Sequence, residues 1–254
     1  LHLRTRRQRQ MCIRDREAYH DRDLFLTEAL AIEASRSIEA AVASEEPFFL
    51  HFAPYAVHTP IMANPRWIDE TEGLAPVEAR YVSLVRSVDA AVGVLLDRLD
   101  ALGVSDNTLV IFTSDNGAVS GYAGRPANRN APLRGSKSSP YEGGHRVPLI
   151  ARWPQHIPAG SVSNAMVVTH DLHPTLLHWA GLDEEQRNVP DGLDISAALL
   201  GQQDLLERFI VWHKPHRTGG QNGRFMPCTA IRLGDEKLIA VSYTHLTLPT
   251  SPKV

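Results

Sequence analysis

An apolar run that ends in an acid, an amide and a glycine, TLVIFTSDNG from Thr108 to Gly117, constrains this chain more than any other stretch. Leu109, Val110, Ile111 and Phe112 read as a strand buried on both faces, as strands of parallel sheets are. Ligands of open α/β sheets sit beyond the carboxyl ends of the strands, so Asp115 and Asn116 are placed to point into a site. A carboxylate beside an amide carbonyl suits a hard cation such as Ca²⁺ or Mg²⁺, and Gly117 lets the backbone turn close to the ion. An ordinary Asn-Gly turn after a strand is the alternative that the run alone leaves open.

The rest of the chain reads as a succession of strands and helices that could embed such a site. Residues 27–43 carry Leu30, Ala31, Ala34, Ile38, Ala41 and Val42 on one helical stripe, with Glu28, Glu33, Arg36 and Glu39 on the wet side. Residues 47–53 read as a strand leading into Pro54 to Pro60, whose prolines forbid regular structure and stiffen a loop. From Pro76 to Leu102, apolar residues recur at three- and four-residue intervals, and Gly103 is placed as the left-handed stop. A second apolar strand, Leu149 to Pro154, follows a region, 118–147, without apolar periodicity; a loop that long inside a compact domain is usually functional. A helix over Leu172 to Ala180, ended by Gly181, completes the middle. Alternation of this kind predicts an α/β fold, a mostly parallel sheet with helices on both faces. After Asp191, short strands at 209–212, 229–232 and 237–240, with a hairpin turn at Gly234-Asp235, predict the start of a small antiparallel subdomain.

Composition narrows the function classes. At 254 residues, 43% hydrophobic and 22% charged, the chain can bury a substantial core. A net charge of -3 argues against nucleic acid as a partner, and no apolar run is long enough to span a bilayer. Cys12 and Cys228 cannot form a disulfide framework, there is no C-x-x-C zinc signature, and His213 and His216 read as polar loop residues.

Four blocks in order, PFFLHFAPYAVHTP (47–60), TLVIFTSDNG (108–117), LRGSKSSPYEGGHRVPLIARWP (133–154) and THDLHPTLLHWAGL (169–182), resemble the sulfatase family of the alkaline-phosphatase-like superfamily. The likeness covers about residues 17–240. It implies hydrolysis of a sulfate ester on a small molecule or carbohydrate, with Ca²⁺ or another hard divalent cation and a formylglycine nucleophile. By that resemblance Asp115 and Asn116 are metal ligands, and Asp115 lies near the nucleophile. Lys137 matches the lysine that contacts the sulfate and its bridging oxygen, a role that suits a flexible ammonium. His58 matches the histidine that hydrogen-bonds the sulfate and protonates the leaving group, chemistry within reach of an imidazole near neutral pH. Glu142 and Arg146 are expected to organise the loop, with Gly143 and Gly144 permitting close packing. Asp171 reads as a helix N-cap, and His51 as a residue packed behind the site.

Parts of the family pattern are not in these residues. Formylglycine is made from Cys or Ser in a C-x-P-S-R-like motif. Cys228 to Arg232 has the spacing, but Ile231 replaces the serine and the segment follows the Asp-Asn block, so it is a decoy; Cys12 to Arg16 lacks both Pro and Ser. The early paired aspartates and the first Lys and His of the sulfate pocket are absent too. The expectations are a chain that binds metal weakly, turns over no substrate by itself, and has an unpaired sheet edge that lowers solubility. Residues 1–16, rich in arginine, and 241–254 read as non-native flanks, translated adapter or assembly sequence of a metagenomic read. Residues 17–190 then form a partial catalytic domain, and 191–240 the start of the carboxyl-terminal subdomain. A phosphonate or phosphate monoester hydrolase of the same superfamily, and a non-catalytic binding module, are the competing readings.

Overall fold

The computed structural model describes Tyr19 and residues 23–119, 129–182, 191–202, 208–216, 227–241 and 244–247. The leader 1–16 and residues 248–254 lie outside them. The chain divides into two compact units, residues 1–105 and 106–254.

In the first unit, helix α1 (Leu26–Ala43) packs on helix α3 (Pro76–Ala101), with the short helix α2 (Pro65–Ile68) between them in the chain. Part of each predicted stripe is buried, Ala31, Ala34 and Ile38 on α1 and Leu84, Ala91 and Leu99 on α3, whereas Val85 is 45% exposed. Gly103 takes φ +69°, the left-handed stop that its position implied. Small polar residues complete the seam. Asn64, fully buried, donates from its side chain to Glu28 Oε1 (3.0 Å) and Ser87 Oγ (2.9 Å), while its backbone N–H donates to Ser83 Oγ (3.1 Å). Its Oδ1 accepts from Arg66 N and caps α2, whose first residue is Pro65. One side chain thus fixes the chain leaving the 54–60 loop against both long helices.

Residues 47–53 join no ladder among the described residues, so the expected strand is not formed there. A strand is defined by its partner, and here none is supplied; Phe49 and His51 are exposed, which overturns the packed placement expected of His51.

In the second unit, strand β1 (Val110–Thr113) pairs antiparallel with strand β2 (Leu149–Arg152), Phe112 facing Ile150 in register. No parallel pairing occurs among the described residues. Two-sided burial of β1 is also not realised: Phe112 is 43% and Ile150 59% exposed. Between the two strands lies the one-turn helix α4 (Glu142–His145).

Helix α5 (Leu172–Trp179) ends as expected before Gly181, at φ +78°. Asp171 stands at the N-cap position of α5 but makes no capping bond to it. Its buried carboxylate instead accepts from the backbone N–H groups of Val168 (2.8 Å) and Leu193 (2.9 Å) and pairs bidentately with Arg208. Helix α6 (Ser196–Leu199) follows. Strands β3 (Ile210–Lys214), β4 (Cys228–Leu233), β5 (Glu236–Val241) and β6 (Thr244–Thr247) then form an antiparallel sheet in that order. Its β4–β5 hairpin closes with Leu233 facing Glu236 and Gly234 at φ +53°, the turn read from the sequence. His213 belongs to β3, not to a loop, and its Nδ1 lies 2.9 Å from Thr229 Oγ1 across the ladder.

Candidate functional site

Immediately after β1 the chain turns through Ser114 to Ala118. Ser114 Oγ donates to Asn116 O (3.0 Å), and the Asn116 side-chain amide donates to Gly117 O (3.3 Å). That leaves Asn116 Oδ1 facing no described donor. Asp115 is exposed, and its carboxylate makes no hydrogen bond or ion pair among the described residues. Two hard oxygen donors on consecutive residues are therefore unengaged among the described residues.

Against this turn lies the loop that carries Lys137, and the two are joined through backbone. Gly117 N–H donates to Gly144 O (3.1 Å), and Lys137 N–H donates to Ala118 O (3.1 Å). Asn130 bridges them: its Oδ1 accepts from Ala118 N (2.8 Å) and its Nδ2 donates to Ala118 O (3.0 Å) and Gly135 O (3.1 Å). Only glycine fits at the crossing. A Cβ on Gly117 would stand 1.9 Å from Gly143 O, one on Gly143 2.5 Å from Gly135 O, and one on Gly144 2.3 Å from Ser139 O. The neighbours are backbone atoms, which cannot swing aside as a side-chain tip can. Gly117→Ala is therefore expected to lower unfolding stability by about 2–3 kcal/mol through overpacking. Urea unfolding with an unchanged midpoint would contradict this close contact.

Behind the loop sits a buried charge cluster. Glu142, 9% exposed, accepts from Arg232 Nη1 on β4 (2.9 Å) and from Lys237 Nζ on β5 (2.8 Å). His145 stacks on Trp212 of β3 with centroids 4.2 Å apart, and Lys237 Nζ lies 4.6 Å over the same indole. Burial pushes the Glu142 carboxyl up, but the hydrogen bond and charge of Lys237, with His145 and Arg232, outweigh it and hold the carboxyl below its ordinary 4.5. Burial, then the Lys237 charge, drive His145 down from 6.5 to about 4. Glu142 thus organises the loop as its place in the motif implied. Arg146 takes no part in this, since it is exposed and its guanidinium has no partner among the described residues.

His58 lies in the first unit, within a turn closed by its own N–H to Tyr55 O (3.0 Å). Its Nδ1 is 3.0 Å from Thr59 O and 3.3 Å from Thr59 Oγ1; the tautomer with the proton on Nδ1 donates to the carbonyl and leaves Nε2 as the acceptor. The Tyr55 ring stands edge-on to the imidazole at 5.6 Å, and Tyr55 Oη donates to Thr59 O (2.9 Å). Asp115, Asn116 and Lys137 lie in the second unit, on loops bonded to each other.

A family model, Sulfatase, matches residues 8–182. This chain belongs to the sulfatase family. It is 39% identical over 189 residues to N-acetylgalactosamine-6-sulfatase of Canis lupus familiaris, covering 74% of this chain and 35% of that protein. Steryl-sulfatase of Rattus norvegicus is 34% identical over 192 residues, 74% of this chain and 32% of that one. Among solved structures it resembles Ps i-CgsB in complex with k-i-k-neocarrahexaose, at TM-score 0.74 and 32% identity over 87% of this chain and 47% of the other. It also resembles the PsFucS1 sulfatase from Pseudoalteromonas sp., at TM-score 0.63 and 29% identity over 82% of this chain and 39% of that one. The chain spans about a third of the length of these curated relatives.

The donor set of this turn suits a hard cation, since a carboxylate and an amide oxygen unengaged among the described residues are the ligand types Ca²⁺ prefers. They are a partial set: no group of three or more His, Cys, Asp or Glu among the described residues could hold an ion, and Ca²⁺ takes about six to eight oxygens. Sequence reasoning missed Asn130, which sits in a polar stretch where nothing in local pattern sets one Asn apart. It also missed Lys237, which reads as one more charge in a hairpin. The Cys228 to Arg232 decoy resolves structurally, with Cys228 buried in β4 and Arg232 committed to Glu142.

Proposed function

We propose that this chain is part of the catalytic domain of a sulfuric ester hydrolase that cleaves a sulfate ester of a carbohydrate or other small molecule. One observation carries the reading. Lys137 and the Asp115-Asn116 pair sit on loops bonded through Lys137 N–H and Ala118 O, while the Lys137 ammonium and the Asp115 carboxylate have no partner among the described residues. Groups held that firmly by their backbones and left unused by the protein are suited to a ligand.

Asp115 and Asn116 would hold Ca²⁺ or another hard divalent cation, which when bound withdraws charge from the sulfonyl oxygens. Lys137 places a compact positive charge at the sulfate and its bridging oxygen. His58, in the tautomer whose Nδ1–H donates to Thr59 O, would present Nε2 to take up a proton and deliver it to the leaving oxygen. The nucleophile is a formylglycine, for which these 254 residues contain no C-x-P-S-R motif, so the chain alone is proposed to be inactive. The exposed Phe112 and Ile150 support a β1–β2 pair that belongs to a larger, mostly parallel sheet in the whole protein. A carbohydrate substrate is supported by relatives named N-acetylgalactosamine-6-sulfatase and by the neocarrahexaose held by Ps i-CgsB.

The test uses the full-length protein encoded by the natural reading frame. It is expected to release sulfate from 4-nitrophenyl sulfate and from a sulfated oligosaccharide, and to lose that activity on chelation. Asp115→Ala is expected to lower kcat/KM by about a hundredfold or more, because a Lewis-acid cation contributes several kcal/mol at the transition state. Turnover of 4-nitrophenyl phosphate with no sulfate release would replace the reading by a phosphate ester hydrolase. Binding of sulfated sugar without turnover would replace it by a binding module.

A further inference from the structure

The residue after Lys137 is held from an unexpected direction. Ser138 adopts φ +72°, a left-handed conformation that a residue with a Cβ occupies only when its surroundings hold it there. Its carbonyl accepts a hydrogen bond from Lys214 Nζ at 2.9 Å, reaching from 76 residues along the chain. Lys214 is the last residue of β3 and faces Cys228 of β4 in register. Burial lowers its pKa, so the ammonium has been drawn partly out of water towards this carbonyl. A charged donor makes such a bond roughly twice as strong as a neutral one.

On the amino-terminal side of Lys137, its own N–H is fixed to Ala118 O, beside the Asp115-Asn116 turn. The Lys137 backbone is therefore gripped from both flanks, by the metal-side turn through its N–H and by the carboxyl-terminal sheet through Ser138 O. A second grip from that sheet, Arg232 and Lys237 on Glu142, lies further along the loop and sets its overall position. The Lys214 contact is of a different kind. It acts on the Ser138–Ser139 peptide, one residue beyond Lys137, where a small backbone rotation carried through Ser138 swings a long side chain through a wide arc, and a misplacement of about an ångström in a reacting geometry can cost a hundredfold in rate.

We propose that Lys214 is a positioning residue for Lys137: by holding the Ser138 carbonyl it fixes the direction in which the Lys137 ammonium leaves the loop, and so its approach to the anion. This rests on the reading of Lys137 as the sulfate-contacting lysine. Lys214 lies outside the segment 8–182 that the family model matches and outside the four motif blocks.

The experiment compares Lys214→Met and Lys214→Arg in the full-length protein by amide hydrogen exchange and by steady-state kinetics on 4-nitrophenyl sulfate. Lys214→Met removes the donor and keeps the apolar stem. It is expected to speed exchange at the amides of Lys137 and Ser139, leave β4 and β5 protected, and lower kcat about ten- to a hundredfold with KM changed less than about threefold. Lys214→Arg, which can still donate to the carbonyl, is expected to recover kcat to within about threefold. Unchanged exchange at 137–139 overturns the proposal, as does faster exchange there with kcat intact. Loss of protection across β4 and β5 in both variants also overturns it, showing Lys214 to be a support of the sheet. Lys137→Ala separates the two readings: full activity in that variant removes Lys137 from the sulfate, whereas the exchange data still report whether Lys214 grips the loop.

Discussion

Replacing Lys137 with alanine in the full-length protein is expected to lower kcat/KM for sulfate-ester hydrolysis by about a hundred- to a thousandfold. The loss corresponds to about 2.7–4 kcal/mol of transition-state stabilisation, the scale of removing one preorganised charge or donor from an oxyanion. Stability should change by less than about 0.5 kcal/mol, because the Lys137 side chain has no bonded or ionic partner among the described residues. The bonds that hold the loop, Lys137 N–H to Ala118 O and Gly143 N–H to Arg134 O, are made by backbone and survive the truncation. Lys137→Arg should recover only part of the rate, since a planar fork cannot occupy the place of a point charge. Steady-state kinetics alongside urea unfolding decides the matter. A kcat/KM within threefold of the parent enzyme removes Lys137 from the chemistry, and an unfolding midpoint that falls in step with activity makes it a structural lysine.

The contrast between stability and activity follows from where information lies in the sequence. Helices α1 and α3 could be read to within a residue or two because periodicity, acidic first turns and a left-handed glycine are local signals. The β4–β5 hairpin was legible for the same reason, its turn being carried by Gly234-Asp235. In the site, the closely packed glycines of the YEGG motif could be anticipated, and so could Glu142 as an organiser. Its partners could not, since Arg232 and Lys237 stand 90 and 95 residues away and are selected only once β4 and β5 are in register. Asp171 shows the limit from the other side. Its position before α5 is that of a cap, yet Arg208, 37 residues on, takes both carboxylate oxygens. A buried carboxylate is claimed by whichever charge the fold brings to it, and local pattern does not record that. Pro47 to Ala53 fails differently. Its composition suits a strand, but ladder bonds belong to pairs of segments, and among the described residues it has no partner.

The same dependence on distant partners makes Glu142 the most consequential position for the fold of the second unit. Glu142→Gln keeps the shape of the side chain and removes its charge, leaving Arg232 and Lys237, whose side chains are 17% and 7% exposed, without a counter-ion. Removing one partner of a buried ion pair costs about 3–5 kcal/mol, chiefly the penalty of an uncompensated buried charge, and here two cations are stranded together. The midpoint of urea unfolding at pH 7 should fall accordingly; a midpoint equal to the parent's would mean that the cluster contributes nothing net. Acid acts on the same cluster through two groups. The Glu142 carboxyl is depressed below 4.5 in the fold, so its contribution is complete above 4.5 and is lost as pH falls through the lower, folded value. His145 is held neutral down to about 4, whereas the unfolded chain protonates it near 6.5. Between those values the unfolded state binds a proton that the folded state refuses, so stability declines as pH drops from 6.5 to about 4. His145→Phe, which can retain a stacking contact with Trp212, should flatten that descent, while Glu142→Gln should leave it in place on a curve lower at every pH above 4.5. Were the parent's stability flat from pH 6.5 to 4, the neutral His145 at the centre of this cluster would be wrong, and with it the balance of charges that ties the Lys137 loop to the sheet.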